Sequence, residues 1–142
     1  MTIDEIVAVS GLPGLFKIGG SRPNGMIVEE IVSGKSRFVS MRKHQFTPMG
    51  TVAIYTDDDA TEINTVFETI AAQEESNPPP ALSSSSKDLF AYFGTILPEF
   101  DRERVLVSDV KKVIKWYHFL KKHDLFPFDA RVEEESEKGE EE

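Results

Sequence analysis

Apolar positions follow two different rhythms along this chain. Over the first 56 residues they come in short runs cut by turn residues. Ile6-Val7-Ala8-Val9 is stopped by Ser10-Gly11-Leu12-Pro13-Gly14, and Leu15-Phe16-Lys17-Ile18 by Gly19-Gly20-Ser21-Arg22-Pro23-Asn24-Gly25. Residues 26–32 and 37–40 are joined through Ser33-Gly34-Lys35-Ser36, and a last run, 51–55, follows Pro48-Met49-Gly50. Asn24-Gly25 is a hairpin signal, because both residues tolerate positive φ. Four or five short strands at this spacing predict a small, strongly bent sheet or SH3-like barrel.

The later rhythm is helical. Ile63, Val66, Phe67 and Ile70 recur at i, i+3, i+4, i+7 behind Asp59-Ala60-Thr61-Glu62, which fits a capping box. This predicts a helix that closes the sheet domain. A second helix is expected from the capping pattern Ser85-Ser86-Lys87-Asp88, with Leu89, Phe90, Phe93, Ile96 and Leu97 as its apolar face and Pro98 as its stop. After an extended stretch, 100–107, Ser108 is a favourable N-cap for a last helix from Asp109 to about His123. Its core stripe is Val110, Val113, Ile114, Tyr117 and Leu120.

The expected fold class is therefore α+β: a small SH3-like or bent-sheet N-terminal domain with a closing helix (1–75), then a Pro/Ser linker (76–85). A helical-hairpin-like module (86–132) and an acidic tail (133–142) follow. The linker, Ser76-Asn77-Pro78-Pro79-Pro80-Ala81-Leu82-Ser83-Ser84-Ser85, mixes extended proline with flexible serine and has no Pro-x-x-Pro spacing. Seven acids, one lysine and no apolar residue give the tail nothing to bury, so disorder is expected there.

Composition narrows the function. The chain has 142 residues, no cysteine and a net charge of −9. Disulfides, thiol nucleophiles and cysteine-based zinc sites are excluded. Met1-Thr2-Ile3-Asp4-Glu5 lack a basic n-region and no apolar run reaches membrane length, so no membrane partner and a cytoplasmic location are expected. The charge is uneven. Residues 1–75 hold six basic against eleven acidic side chains, 87–132 nine against seven, and 133–142 one against seven. A general nucleic-acid coat is disfavoured, while a local basic face on the positive segment stays open.

Motifs with catalytic connotations read better as structure. Gly34-Lys35-Ser36 would need a glycine where Glu29 stands to be a phosphate loop, so a hairpin turn is expected. Asp57, Asp59, Thr61 and Glu68 match four calcium-loop positions, but Glu62 occupies the place of the obligatory glycine. His118 and His123 diverge by about 140° on a helix, and His44 stands alone in a basic run. No catalytic residue, metal site or cofactor is expected.

The last helix carries the candidate site. Lys111, Lys115, His118 and Lys122 form a basic stripe, while Trp116 and Phe119 fall off the core stripe beside Lys112. Aromatics among lysines can anchor a protein partner or stack on bases. The competing reading is that a second packing surface buries both rings, leaving the lysines a solvated face.

Ser10-Gly11-Leu12-Pro13-Gly14-Leu15-Phe16-Lys17, residues 97–105 and Val107-Ser108-Asp109-Val110-Lys111-Lys112-Val113-Ile114-Lys115-Trp116-Tyr117 resemble a family of small two-domain proteins of Bacteroidota. The resemblance spans nearly the whole chain except the linker and tail. It implies an N-terminal barrel-like domain of unknown function plus a helical C-terminal domain, and transfers no site residue. A fainter likeness is to SAP-type modules, in which two helices around an extended segment bind DNA. The functional expectation is a non-enzymatic, two-module interaction or adaptor protein with a protein partner. The alternative is a nucleic-acid-associated regulator using Lys111, Lys112, Lys115, Trp116, Phe119 and Lys122. The acidic tail is expected either to screen that stripe or to act as a solubility tail.

Overall fold

A computed structural model of the chain describes residues 1–129; the acidic tail and the end of the expected helical module lie outside the described residues. Contacts divide the chain into two units, Met1–Gly50 with the segment from His123 onward, and Thr51–Lys122.

In the first unit, β1 (Ile6–Val9), β2 (Leu15–Arg22), β3 (Gly25–Glu30), β4 (Ser36–Ser40) and β5 (Phe46–Pro48) form one antiparallel sheet. The strand order is β4-β3-β2-β1-β5, so β4 and β5 are edges and the described sheet is open, not closed into a barrel. Val7, Val9, Phe16, Val28 and Val39 are buried together on one face, flanked by Leu12, Ile18, Met26 and Phe46. Alternation along the strands puts Ile6 and Leu15 on the opposite face, and these too are buried. Near the end of the described residues, Asp129 returns to bridge Thr2, its N–H donating to Met1 O (2.9 Å).

Two turns match the sequence reading. Gly11 and Gly14 take positive φ (81° and 76°) between β1 and β2, and Gly34 does so (72°) between β3 and β4. The β2–β3 hairpin exists but works differently. Arg22 pairs with Gly25, so Pro23 and Asn24 are the connecting residues. Gly25 is needed for space: a Cβ there would lie 2.2 Å from Val39 O and 2.6 Å from the Phe38 ring. The fifth strand also differs. Phe46–Pro48 pairs with β1, whereas β6 (Ala53–Tyr55) pairs with β7 (Ala60–Glu62) in a separate two-stranded sheet. The run 51–55 resembled a sheet-closing strand because it is apolar; the shorter Phe46-Thr47-Pro48 carries a proline that sequence rules confine to edges.

The second unit holds the β6–β7 ribbon, α1 (Ile63–Gln73), α2 (Ser86–Ile96) and α3 (Val107–Lys122). The expected capping box at 59–62 is not formed: Ala60–Glu62 is strand, the N-cap Glu62 makes no side-chain cap, and the Ile63 N–H donates to Val52 O (3.0 Å). Ser85 does cap α2, its hydroxyl accepting from Asp88 N–H (3.2 Å). α3 begins before Ser108. Asp109 performs the cap instead, its carboxylate accepting from Leu106 N–H (2.9 Å).

Every residue of the α1 stripe (Ile63, Val66, Phe67, Ile70) and of the α3 core stripe is buried. On α2 the buried set is Leu89, Tyr92, Phe93 and Ile96, so Tyr92 replaces the expected Phe90. Phe100 fills the centre of the α2–α3 connection, 5.1 Å from the Phe93 ring, with the Arg102 guanidinium 4.3 Å over its own ring. The connection is stitched to the ribbon: Asp101 N–H donates to Tyr55 O (2.8 Å) and Asp57 N–H to Glu99 O (3.0 Å). The stretch compared with a calcium loop is thus ribbon and helix. Asn77, within the Pro/Ser segment, donates to Thr95 Oγ1 (2.8 Å) and Gln73 Oε1 (3.1 Å), tying that segment to α1 and α2.

Candidate interaction surface on the third helix

α3 is a helix whose polarity matches its backbone dipole. Asp109 lies in its first turn and Lys121 and Lys122 in its last. At 100° per residue its apolar stripe covers one side. The opposite side carries Lys111, Lys115, His118 and Lys122, all exposed, with Lys112 next to them, also exposed. Among the described residues none of Lys111, Lys112, Lys115 and Lys122 forms an ion pair. Unpaired ammonium groups this close leave a positive field available to a polyanion.

The two rings sit unequally. Phe119 projects between Lys112 and Lys115, inside the basic face, and Trp116 lies at its border beside Leu120. Both are half-buried. They are therefore neither core residues like Tyr117 nor free platforms, and only part of each ring is open to a ligand.

Sequence reasoning missed a polar cluster on the inner side of the same helix. The Tyr117 hydroxyl donates to Glu74 Oε1. The Tyr92 hydroxyl is buried with no hydrogen-bond partner among the described residues. Burial, helped by the Glu74 carboxylate, pushes the Tyr92 pKa up to about 12. Burial first, and then the bond to Glu74, raises Tyr117 as well. Glu74 borders an open groove of about 470 Å³ lined also by Ala71, Ala72, Glu75 and Lys121. A tyrosine inside an apolar helical stripe was the available signal, since a buried hydroxyl needs a partner. The groove is lined by two carboxylates, Glu74 and Glu75, and one ammonium, Lys121, and of these Glu74 is engaged by the Tyr117 hydroxyl.

Two further titratable groups, His44 and Asp101, are bonded within the fold. His44 Nδ1 is 2.6 Å from Ser10 O, and the Ser10 hydroxyl accepts from Gln45 N–H (2.7 Å), clamping two loops of the sheet unit. Asp101 bonds Arg104 Nε (2.7 Å), which holds its carboxyl below the usual range, and Arg104 stacks 4.4 Å over Tyr55. Among the described residues no group of three or more His, Asp or Glu could hold a metal ion. No helix among them is long and apolar enough to cross a membrane.

Similarity to known proteins follows the same division. Residues 3–49 match the profile of a Domain of unknown function (DUF5606), and residues 52–120 that of a second Domain of unknown function (DUF6852). The junction between them falls at the Gly50–Thr51 boundary of the two units. A solution NMR structure of a Bacteroides vulgatus protein, a structural genomics target, is 28% identical, with a TM-score of 0.67 over 89% of this chain and 91% of that one. No curated protein matches.

Proposed function

We propose that this chain is a non-enzymatic interaction protein that docks an acidic protein partner on the outward face of α3. In this reading it is a cytoplasmic two-module adaptor of Bacteroidota. The open sheet, bent in an SH3-like manner, forms the second module. One observation carries the reading: Lys111, Lys112, Lys115 and Lys122, exposed and with no ion pair among the described residues, surround Phe119, with Trp116 at their border. The half-burial of both rings favours a protein partner over stacked bases, because stacking needs an open ring face.

Trp116 is the sole tryptophan, so its fluorescence reports on this surface directly. The intact protein should show a salt-sensitive Trp116 shift with a poly-glutamate peptide, lost in a Lys111→Glu/Lys115→Glu/Lys122→Glu variant. A shift with single- or double-stranded oligonucleotides instead would replace this reading by the nucleic-acid alternative. Turnover of a substrate, abolished by one point change, would end it.

A further inference from the structure

The first unit has two sheet edges, and they are treated differently. β5 is three residues long and ends in Pro48, which has no N–H to offer. β4 is five residues long, with no proline, glycine or bulge. Its hydrogen-bonding phase can be read from its ends. Glu30 N–H donates to Lys35 O (2.9 Å) and Met41 N–H to Asn24 O (3.0 Å). Bonded pairs alternate in an antiparallel ladder, so Lys35, Arg37, Val39 and Met41 face β3. The N–H and C=O of Ser36 and Phe38 therefore point outward. Among the described residues no backbone bond outside the ladders reaches either.

Exposed apolar side chains gather along this edge. Val32 (82% exposed), Phe38 (45%) and Met41 (57%) lie on β4 or its flanking turns. The Phe38 ring lies over Gly25, in the space that a side chain there would need, with the rest of it open to solvent.

We propose that β4 is the self-association edge of this protein, pairing antiparallel with β4 of a second copy across a two-fold axis at Phe38. The strand reads Ser36-Arg37-Phe38-Val39-Ser40, a near-palindrome about Phe38. Two-fold pairing sets Phe38 against Phe38 and Ser36 against Ser40, so the outward N–H and C=O groups of Phe38 meet each other and those of Ser36 meet Ser40, whose carbonyl also accepts a long bond from Lys43 N–H (3.4 Å). Arg37 faces Val39 of the other strand, and the two Arg37 residues stand roughly 8 Å apart. Each is also paired with its own Glu30 (3.5 Å). The Ser33 hydroxyl, and after it Arg37, keeps the Glu30 carboxyl below its usual range.

Five residues and one ring a side bury less than the area of a standard stable interface, so the dimer is weak and concentration-dependent. Lys35, Arg42 and Lys43 rim the edge with like charge. Added salt screens that repulsion and strengthens the dimer, opposite to its effect on an acidic ligand at α3.

Sedimentation equilibrium of the full chain from about 10 μM to about 1 mM tests this. The mass should rise from 16.0 kDa toward twice that value, more so at high salt. Phe38→Glu, which sets carboxylates against each other at the axis, should remain monomeric. Ser36→Pro removes an outward donor while leaving the bonds to β3, and should also remain monomeric with an unchanged circular dichroism spectrum. A wild-type chain that stays at 16.0 kDa throughout overturns the proposal. So does a dimer indifferent to both substitutions. A monomer whose Phe38 amide is protected from exchange until residues 133–142 are deleted would assign the edge to the chain's own acidic segment instead.

Discussion

In the helical unit, Thr51–Lys122, burial obeys period, whereas in the sheet unit it obeys register and space. Along α1 and α3 each residue that a 3.6-residue rhythm assigns to the core is buried. In the sheet, the same count of apolar residues would serve several pairings. The observed one is selected by features with little apolar content: Gly25 under Phe38, the shift between Ile18 and Gly20, and a three-residue strand containing Pro48. One unit is therefore sensitive chiefly to lost volume and the other to added volume.

The largest expected effect follows from the first half of that contrast. Phe93 is fully buried and touches the Phe100 ring, so Phe93→Ala should destabilise the chain by about 3–5 kcal/mol in urea unfolding. Phe93→Leu keeps most of the volume and should cost less than half as much. Equal losses would mean that ring geometry, not volume, governs this core.

The second half predicts the reverse sensitivity. Gly25→Ala adds one methyl group and should cost about 1–3 kcal/mol, with β4 displaced and its amides exchanging faster. The obstacle is partly side chain, at the Phe38 ring, and partly backbone, at Val39 O. Trimming the ring with Phe38→Ala therefore should not restore stability to Gly25→Ala. Full rescue would show that the ring alone makes glycine necessary.

The same contrast explains what could be read in the sequence. Helix positions, the Ser85 cap and the glycine turns at 11–14 and 34 are local: the residues that dictate them are neighbours in the chain. The α3 lysines were legible for that reason, being the complement of a periodic stripe. The pairing of β5 with β1 is not local, because it joins Phe46 to Val9 across the intervening hairpins. A capping pattern at 59–62 pointed to a helix start, yet the same residues had a strand partner in Ala53–Tyr55 that composition alone does not announce. The Glu74–Tyr117 bond joins residues on different helices, and only the tyrosine hinted that a polar partner was needed.

The two buried tyrosines of the helical unit sharpen the comparison at its smallest scale, because near-identical deletions should have opposite signs. Tyr117→Phe leaves the Glu74 carboxylate without its donor and should cost about 1–2 kcal/mol. Tyr92→Phe removes a hydroxyl with no partner among the described residues and should be neutral or stabilising by up to about 1 kcal/mol. Alkaline pH separates them further. In the unfolded chain a tyrosine ionises near pH 10, whereas folded Tyr92 stays neutral to about 12. The unfolded state thus loses its proton first, and stability falls as pH climbs from 10 toward 12. At pH 11 that loss is on the order of 1 kcal/mol for this residue, and Tyr92→Phe should abolish its share. Thermal unfolding at pH 9 and pH 11 measures both effects at once. If Tyr92→Phe proves as damaging as Tyr117→Phe at pH 9, the Tyr92 hydroxyl has a partner, and burial in this unit is satisfied by more than helical period.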